Sequence, residues 1–137
     1  MKVLLDTNVI VDVAIERHPF YQESVQVLSF VYLKQIEGYI SASTFSDIYY
    51  IIRKVKGRDS TLDFLRRIST FCQVATVDQA AITMALNANF KDFEDAIQYS
   101  TTIVNQLDAI VTRNAQDFTV TSPRIITPAQ LIQELTN

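Results

Sequence analysis

Val3-Leu4-Leu5 is an uninterrupted apolar run that stops on an acid, Asp6, with Thr7 and Asn8 directly behind it. An aliphatic run this short, with no polar alternation, suits a strand covered on both faces, as in a parallel sheet held between helix layers. An acid directly after such a strand falls outside its carboxyl end, where open α/β sheets place their chemistry. These opening residues ask two things of the rest of the chain: helices for both sides of a sheet, and partners for Asp6.

The remainder alternates strand-like and helix-like segments. Val9 to about Ile15 reads as a helix capped by Thr7 or Asn8 and broken at His18-Pro19, because the residue before a proline avoids the helical region. Tyr21 to Ile36 reads as a second helix, with Val25, Leu28, Tyr32 and Ile36 at helical spacing and Gly38 as its stop. Tyr39 to Ala42 is a short strand. Ser43 or Thr44 caps a helix to about Lys56 that Gly57 ends, and Asp59-Ser60 starts another with Leu62, Leu65 and Ile68 inward. Val74 to Val77, Ala109 to Thr112 and Ile125-Ile126 are further strands. Asp78 caps a helix to Asn87, Asp92 opens one that reaches Asn105, and Thr127-Pro128 opens a last one. Strands separated by helices predict an α/β domain spanning residues 1–137, with three layers, α/β/α, around a central, mainly parallel sheet.

Composition removes several function classes. The glycines are Gly38 and Gly57 alone, so neither a Gly-rich phosphate loop nor a dinucleotide fingerprint can be built. The lone Cys72 has no intrachain disulfide partner, which fits a reducing compartment. No apolar stretch reaches the roughly 18 residues of a membrane span, and the N-terminus lacks the layout of a secretion signal. A cytoplasmic location without membrane association is the expectation.

Four places set an aspartate beside a strand end or a helix start. Asp6 follows the first strand, and Asp47 lies in the first turn of the helix after the second. Asp95 lies in the first turn of its own helix with Asp92 three residues earlier on the same face, and Asp117 follows the Ile110-Val111-Thr112 strand. In a parallel sheet the strand carboxyl ends share one edge, so these acids can meet there. Clustered carboxylates repel unless a cation intervenes, and oxygen-rich sites suit Mg²⁺ or Mn²⁺, which activate water for phosphodiester cleavage. Aspartate is also a favoured helix cap, and spacing alone does not separate four caps from one metal site.

Leu4-Leu5-Asp6-Thr7-Asn8-Val9-Ile10, Ile40-Ser41-Ala42-Ser43-Thr44 followed by Asp47, Asp92-Phe93-Glu94-Asp95-Ala96, and Ile110-Val111-Thr112-Arg113-Asn114 through Asp117-Phe118 resemble, in order, the four acidic motifs of the PIN domain family. That family includes the VapC-like ribonucleases of toxin–antitoxin pairs. The resemblance covers nearly the whole chain. It implies a Mg²⁺- or Mn²⁺-dependent endoribonuclease that hydrolyses single-stranded RNA with metal-activated water. It assigns Asp6, Asp47 and Asp95 to the metal, and Asp117 as a fourth acid linked through water. Asn8, Thr112 and Asn114 become supporting polar residues, with Asp92 behind them. One position departs from the pattern: the second acid is commonly glutamate, and Asp47 is one methylene shorter, which can leave a water between it and the metal.

The net charge of −3 argues against a nucleic-acid partner at first sight. Four of the fifteen acids belong to the candidate pocket, however, and the remaining chain is close to neutral against twelve basic residues. Arg53 and Lys54 head the densest basic cluster and are candidate phosphate contacts, although cations also favour helix C-termini. Arg113, inside the fourth motif, is the better single candidate. Apolar excess around Tyr49, Tyr50, Ile51 and Ile52 leaves an antitoxin protein or a second copy of the chain as candidate partners. The competing reading is a catalytically weak PIN module that binds RNA or protein. A haloacid-dehalogenase-like phosphatase wants a second aspartate where Asn8 stands, and a receiver domain wants adjacent early acids.

Overall fold

The computed structural model describes residues 1–137. In chain order the elements are β1 (Lys2–Leu5), α1 (Thr7–Ala14), α2 (Tyr21–Tyr32), β2 (Glu37–Ser41), α3 (Thr44–Lys56) and α4 (Arg58–Ile68). They continue with β3 (Gln73–Ala75), α5 (Gln79–Asn87), α6 (Phe93–Val104), β4 (Ala109–Val111), β5 (Arg124–Ile126) and α7 (Pro128–Thr136). The five strands run in the order β3-β2-β1-β4-β5, and every neighbouring pair is parallel.

The central strand β1 explains the three layers. Val3, Leu4 and Leu5 are fully buried, and successive side chains point to opposite faces. Val3 and Leu5 enter a core with Ile10, Val27, Ile48 and Leu131, which come from α1, α2, α3 and α7. Leu4 enters a second core with Ile110, Leu107 and Phe118, packed by Tyr99 of α6. Each fully buried aliphatic side chain contributes about 1.5–3 kcal/mol, so a single residue shift of β1 would exchange both cores.

The chain leaves β1 toward β2 on one side and reaches β4 on the other. That reversal makes a crevice at the carboxyl ends of β1 and β4. No helix is long and apolar enough to cross a membrane.

The second helix differs from the sequence expectation. It ends at Tyr32 rather than Ile36: the Leu33 N–H closes on the Ser29 carbonyl, and Lys34 takes a left-handed φ of 63°. Gly38 is no helix stop but a residue of β2, where a Cβ would lie 2.8 Å from both γ-carbons of Val31. The glycine is needed so that β2 can pass close beneath α2. Ile36 is buried from the turn rather than from the helix face.

Candidate metal centre

The register of β1 and β4 pairs Leu5 with Val111, which brings the next residues, Asp6 and Thr112, side by side. Asp6 N–H bonds the Val111 carbonyl at 3.0 Å, and α1 begins at once. Asp6 itself, not Thr7 or Asn8, is the N-cap, accepting from the Thr7 N–H at 2.9 Å. Asn8 is thereby free for the site. The same Asp6 oxygen accepts from Gln98 Nε2 at 3.1 Å. The other accepts from Thr112 Oγ1 at 2.8 Å and from Asn8 Nδ2 at 3.5 Å. Asn8 also reaches Thr112 Oγ1 at 3.4 Å, and the Asn114 N–H donates to that hydroxyl at 3.1 Å. Asp6, only 6% exposed, is oriented by four donors, none of them a cation.

Around it opens a cleft of about 290 Å³ whose wall includes Asp6, Asp92, Glu94, Asp95 and Asp117. The N-terminus of α6 delivers three of these acids. Asp92 caps the helix by accepting the Asp95 N–H at 3.2 Å. The Asp95 carboxyl is pushed up to about 7, first by partial burial and then by Asp92, Asp6, Asp117 and Glu94. Glu94 is raised in the same direction by burial, Asp47, Asp6 and Asp92, against a Thr7 hydroxyl that donates to it at 3.4 Å. Arg17 is the only basic residue on the wall.

The carboxylates facing the cleft offer oxygen ligands, the set that suits Mg²⁺ or Mn²⁺, and Asp95 and Glu94 are raised first by burial and then by the neighbouring acids. No three His, Cys, Asp or Glu side chains close on one point at ligating distance. The chemistry of the donor set fits a divalent cation.

The expected residues are not all placed alike. Asp6, Asp95, Asp117, Asp92, Asn8 and Asn114 line the cleft, and Thr112 is buried beneath Asp6. Asp47 is exposed and outside the lining, although Ile51, one turn further along α3, is in it. Glu94 supplies the carboxylate on the cleft wall, and Asp47 acts on it through charge. Arg53 and Lys54 are exposed near the far end of α3, away from the wall.

Arg113 departs from its expected substrate-facing position. Its Nε and Nη2 grip the two oxygens of Asp12 at 2.6 and 3.1 Å, and its guanidinium lies 3.9 Å from the Phe20 ring centroid. Asp12 is completely buried and also receives the Ser24 hydroxyl at 3.4 Å. Arg113 therefore serves the site from behind, and its N–H donates to Asn8 Oδ1 at 3.4 Å.

Sequence reasoning missed Asp12, Glu94 and Gln98. A helix aimed end-on at a cleft surrounds it with its whole first turn, so Glu94 belongs there as much as Asp95. Gln98, three residues after Asp95, is a polar residue with no exposed surface, and that spacing was the available signal.

A family model described as PIN domain matches residues 2–116. Ribonuclease VapC1 of Aquifex aeolicus (strain VF5) is 29% identical over 103 residues, covering 72% of this chain and 71% of that protein. Among solved structures, a toxin-antitoxin complex from Klebsiella pneumoniae is similar at a TM-score of 0.69 and 22% identity, over 92% of this chain and 97% of that one. VapBC2 from Rickettsia felis, bound to a DNA fragment from its promoter, is similar at 0.70 and 14% identity, over 93% and 98%.

Proposed function

The chain belongs to the PIN domain family, and from that membership and its acidic cleft we propose that it is a divalent-metal-dependent endoribonuclease acting on single-stranded RNA. The observation that carries this reading is that five carboxylates line one cleft at the β1/β4 crevice, with Asp6 held by dipolar donors only.

A bound Mg²⁺ or Mn²⁺ supplies activated water and neutralises charge developing on the phosphate oxygens. Asp6 and Asp95 would hold it, with Asp117 and Glu94 completing the oxygen set and Asp47 adding negative charge from outside the lining. Thr112, Gln98 and Asn8 keep the Asp6 carboxylate in one orientation, as hydrogen bonds to ligating carboxylates do in other metal sites. Asn114 presents an amide to the cleft for substrate or water, and Asp92 fixes the first turn of α6. No covalent nucleophile is required.

The named relatives support a place in a toxin–antitoxin pair, and a cytoplasmic location is part of the same proposal. The exposed Tyr50, Ile51 and Val55 along α3 are the surface we assign to an antitoxin protein. A homodimer is the competing occupant, and light scattering with and without antitoxin separates the two.

The second reading, a PIN module that binds without cutting, is favoured by one observation: the acids stand apart and Asp47 lies outside the lining. Incubation with single-stranded RNA and Mg²⁺ or Mn²⁺, beside Asp6→Asn, decides between them. Cleavage by the unmodified protein that Asp6→Asn abolishes supports the ribonuclease. Retained RNA binding without cleavage in either metal supports the module.

A further inference from the structure

We propose that the cavity on the far side of Asp95 is a nucleotide subsite, which holds one unpaired base of the RNA beside the bond cut in the acidic cleft; this rests on the ribonuclease reading. The cavity, about 420 Å³, shares Asp92, Asp95 and Asp117 with the cleft, so the two adjoin across these acids. Its size falls within the roughly 300–1,000 Å³ of small-ligand sites.

Its far wall differs chemically from the cleft. Asn89, Phe90, Lys91, Gln116 and Thr119 line it. Phe90 is half-buried and braced from behind, 5.2 Å from the Tyr99 ring and edge-on to Phe118 at 6.0 Å. Lys91 is exposed and takes part in none of the chain's ion pairs. Asn89 and Gln116 are exposed amides, each carrying donors and an acceptor. A braced aromatic face, uncharged amides and a free cation are what an unstacked RNA base with its phosphate requires: stacking, edge recognition and charge. Helical RNA keeps its bases stacked and paired, so the occupant is single-stranded. In this cavity Phe90 stacks the base, Gln116 and Asn89 read its edge, and Lys91 holds the flanking phosphate.

The test compares the unmodified protein with Lys91→Ala, Gln116→Ala and Phe90→Leu on RNA oligonucleotides randomised around one cleavage site, with Mn²⁺, after thermal melts show that each variant is folded. Lys91→Ala should raise KM about three- to tenfold while kcat falls less, and Gln116→Ala should change the base preferred next to the cut. Unaltered KM and base preference in both variants overturns the subsite. A second arm measures fluorescence anisotropy of labelled single-stranded RNA on an Asp6→Asn background. If the unmodified protein cuts no RNA with either metal, the ribonuclease reading fails by itself. The subsite then stands if Lys91→Ala and Phe90→Leu each weaken binding at least about threefold, and falls if they do not.

Discussion

Two buried aspartates on one helix receive opposite treatment. Asp6 caps α1 and Asp12 lies in its body, 6% and 0% exposed. Asp12 is met by the bidentate fork of Arg113, with Arg17 at 3.7 Å. Asp6 is met by a backbone N–H, two amides and a hydroxyl. Dipoles orient a carboxylate without cancelling its charge, whereas a guanidinium does both. The contrast separates a carboxylate whose charge is matched inside the fold from one that is oriented but left without a cationic partner. It also shows how they cooperate: the Arg113 that Asp12 anchors follows directly on Thr112, which orients Asp6.

The largest expected effect comes from breaking the paired side. Asp12→Ala strands the Arg113 guanidinium, which is only 18% exposed, and leaving one partner of a buried pair costs about 3–5 kcal/mol. Urea denaturation should show a loss of that size. Adding Arg113→Met to Asp12→Leu should recover part of it, since apolar replacement of a whole buried pair is often near neutral.

Next comes the unpaired side. Asp6→Asn keeps the volume and should cost about 1–2 kcal/mol: its amide oxygen still accepts from the Thr7 N–H and Gln98, while its NH2 faces the Thr112 hydroxyl, which can turn to accept, and the Asn8 amide, which loses its acceptor. RNA cleavage should fall at least about 100-fold, beyond what removing a neighbour of a ligand costs. If Asp6→Asn costs stability as heavily as Asp12→Ala, the division of labour is wrong.

Much of this was legible in the sequence and some was not, for reasons that differ by residue. Val3 to Leu5 and Ile110-Val111 announce buried strands because no polar residue interrupts them. Asp78, Asp92 and Thr127 are caps, as their positions predict, because capping is decided within four residues of chain. The pairing of Asp12 with Arg113 spans 101 residues and that of Gln98 with Asp6 spans 92, and no local pattern encodes which distant partner arrives. The end of α2 was misread because the left-handed Lys34 carries no glycine to mark it. Glycine was instead spent on the approach of β2 to Val31.

A smaller effect should follow from loosening the dipoles rather than the acid. Thr112→Val removes the 2.8 Å donor to Asp6 while preserving shape. Gln98→Leu removes the donor on the other oxygen. Each should lower metal affinity or cleavage by about 10–100-fold, read by calorimetric titration of Mn²⁺ beside the cleavage assay. An undiminished affinity in both would make Asp6 orientation irrelevant.

The smallest effect is a pH dependence on the cation side of the comparison. The Asp95 carboxyl is raised from 3.8 to about 7, chiefly by burial and then by Asp92. A raised carboxyl binds its proton more tightly in the folded chain, so its contribution to stability is complete below about pH 4. That contribution is lost as pH climbs through about 7. The cation-free protein should therefore lose some stability across this window, and a divalent cation should restore it where Asp95 is ionised. At pH 6 the cation must displace a proton, and at pH 8 it need not. The rise in Tm produced by a fixed Mg²⁺ concentration should be larger at pH 8 than at pH 6, and Asp95→Asn should shrink that difference. An equal rise at both values would mean that Asp95 does not meet the cation, and that the metal rests on Asp6 with other acids of the cleft.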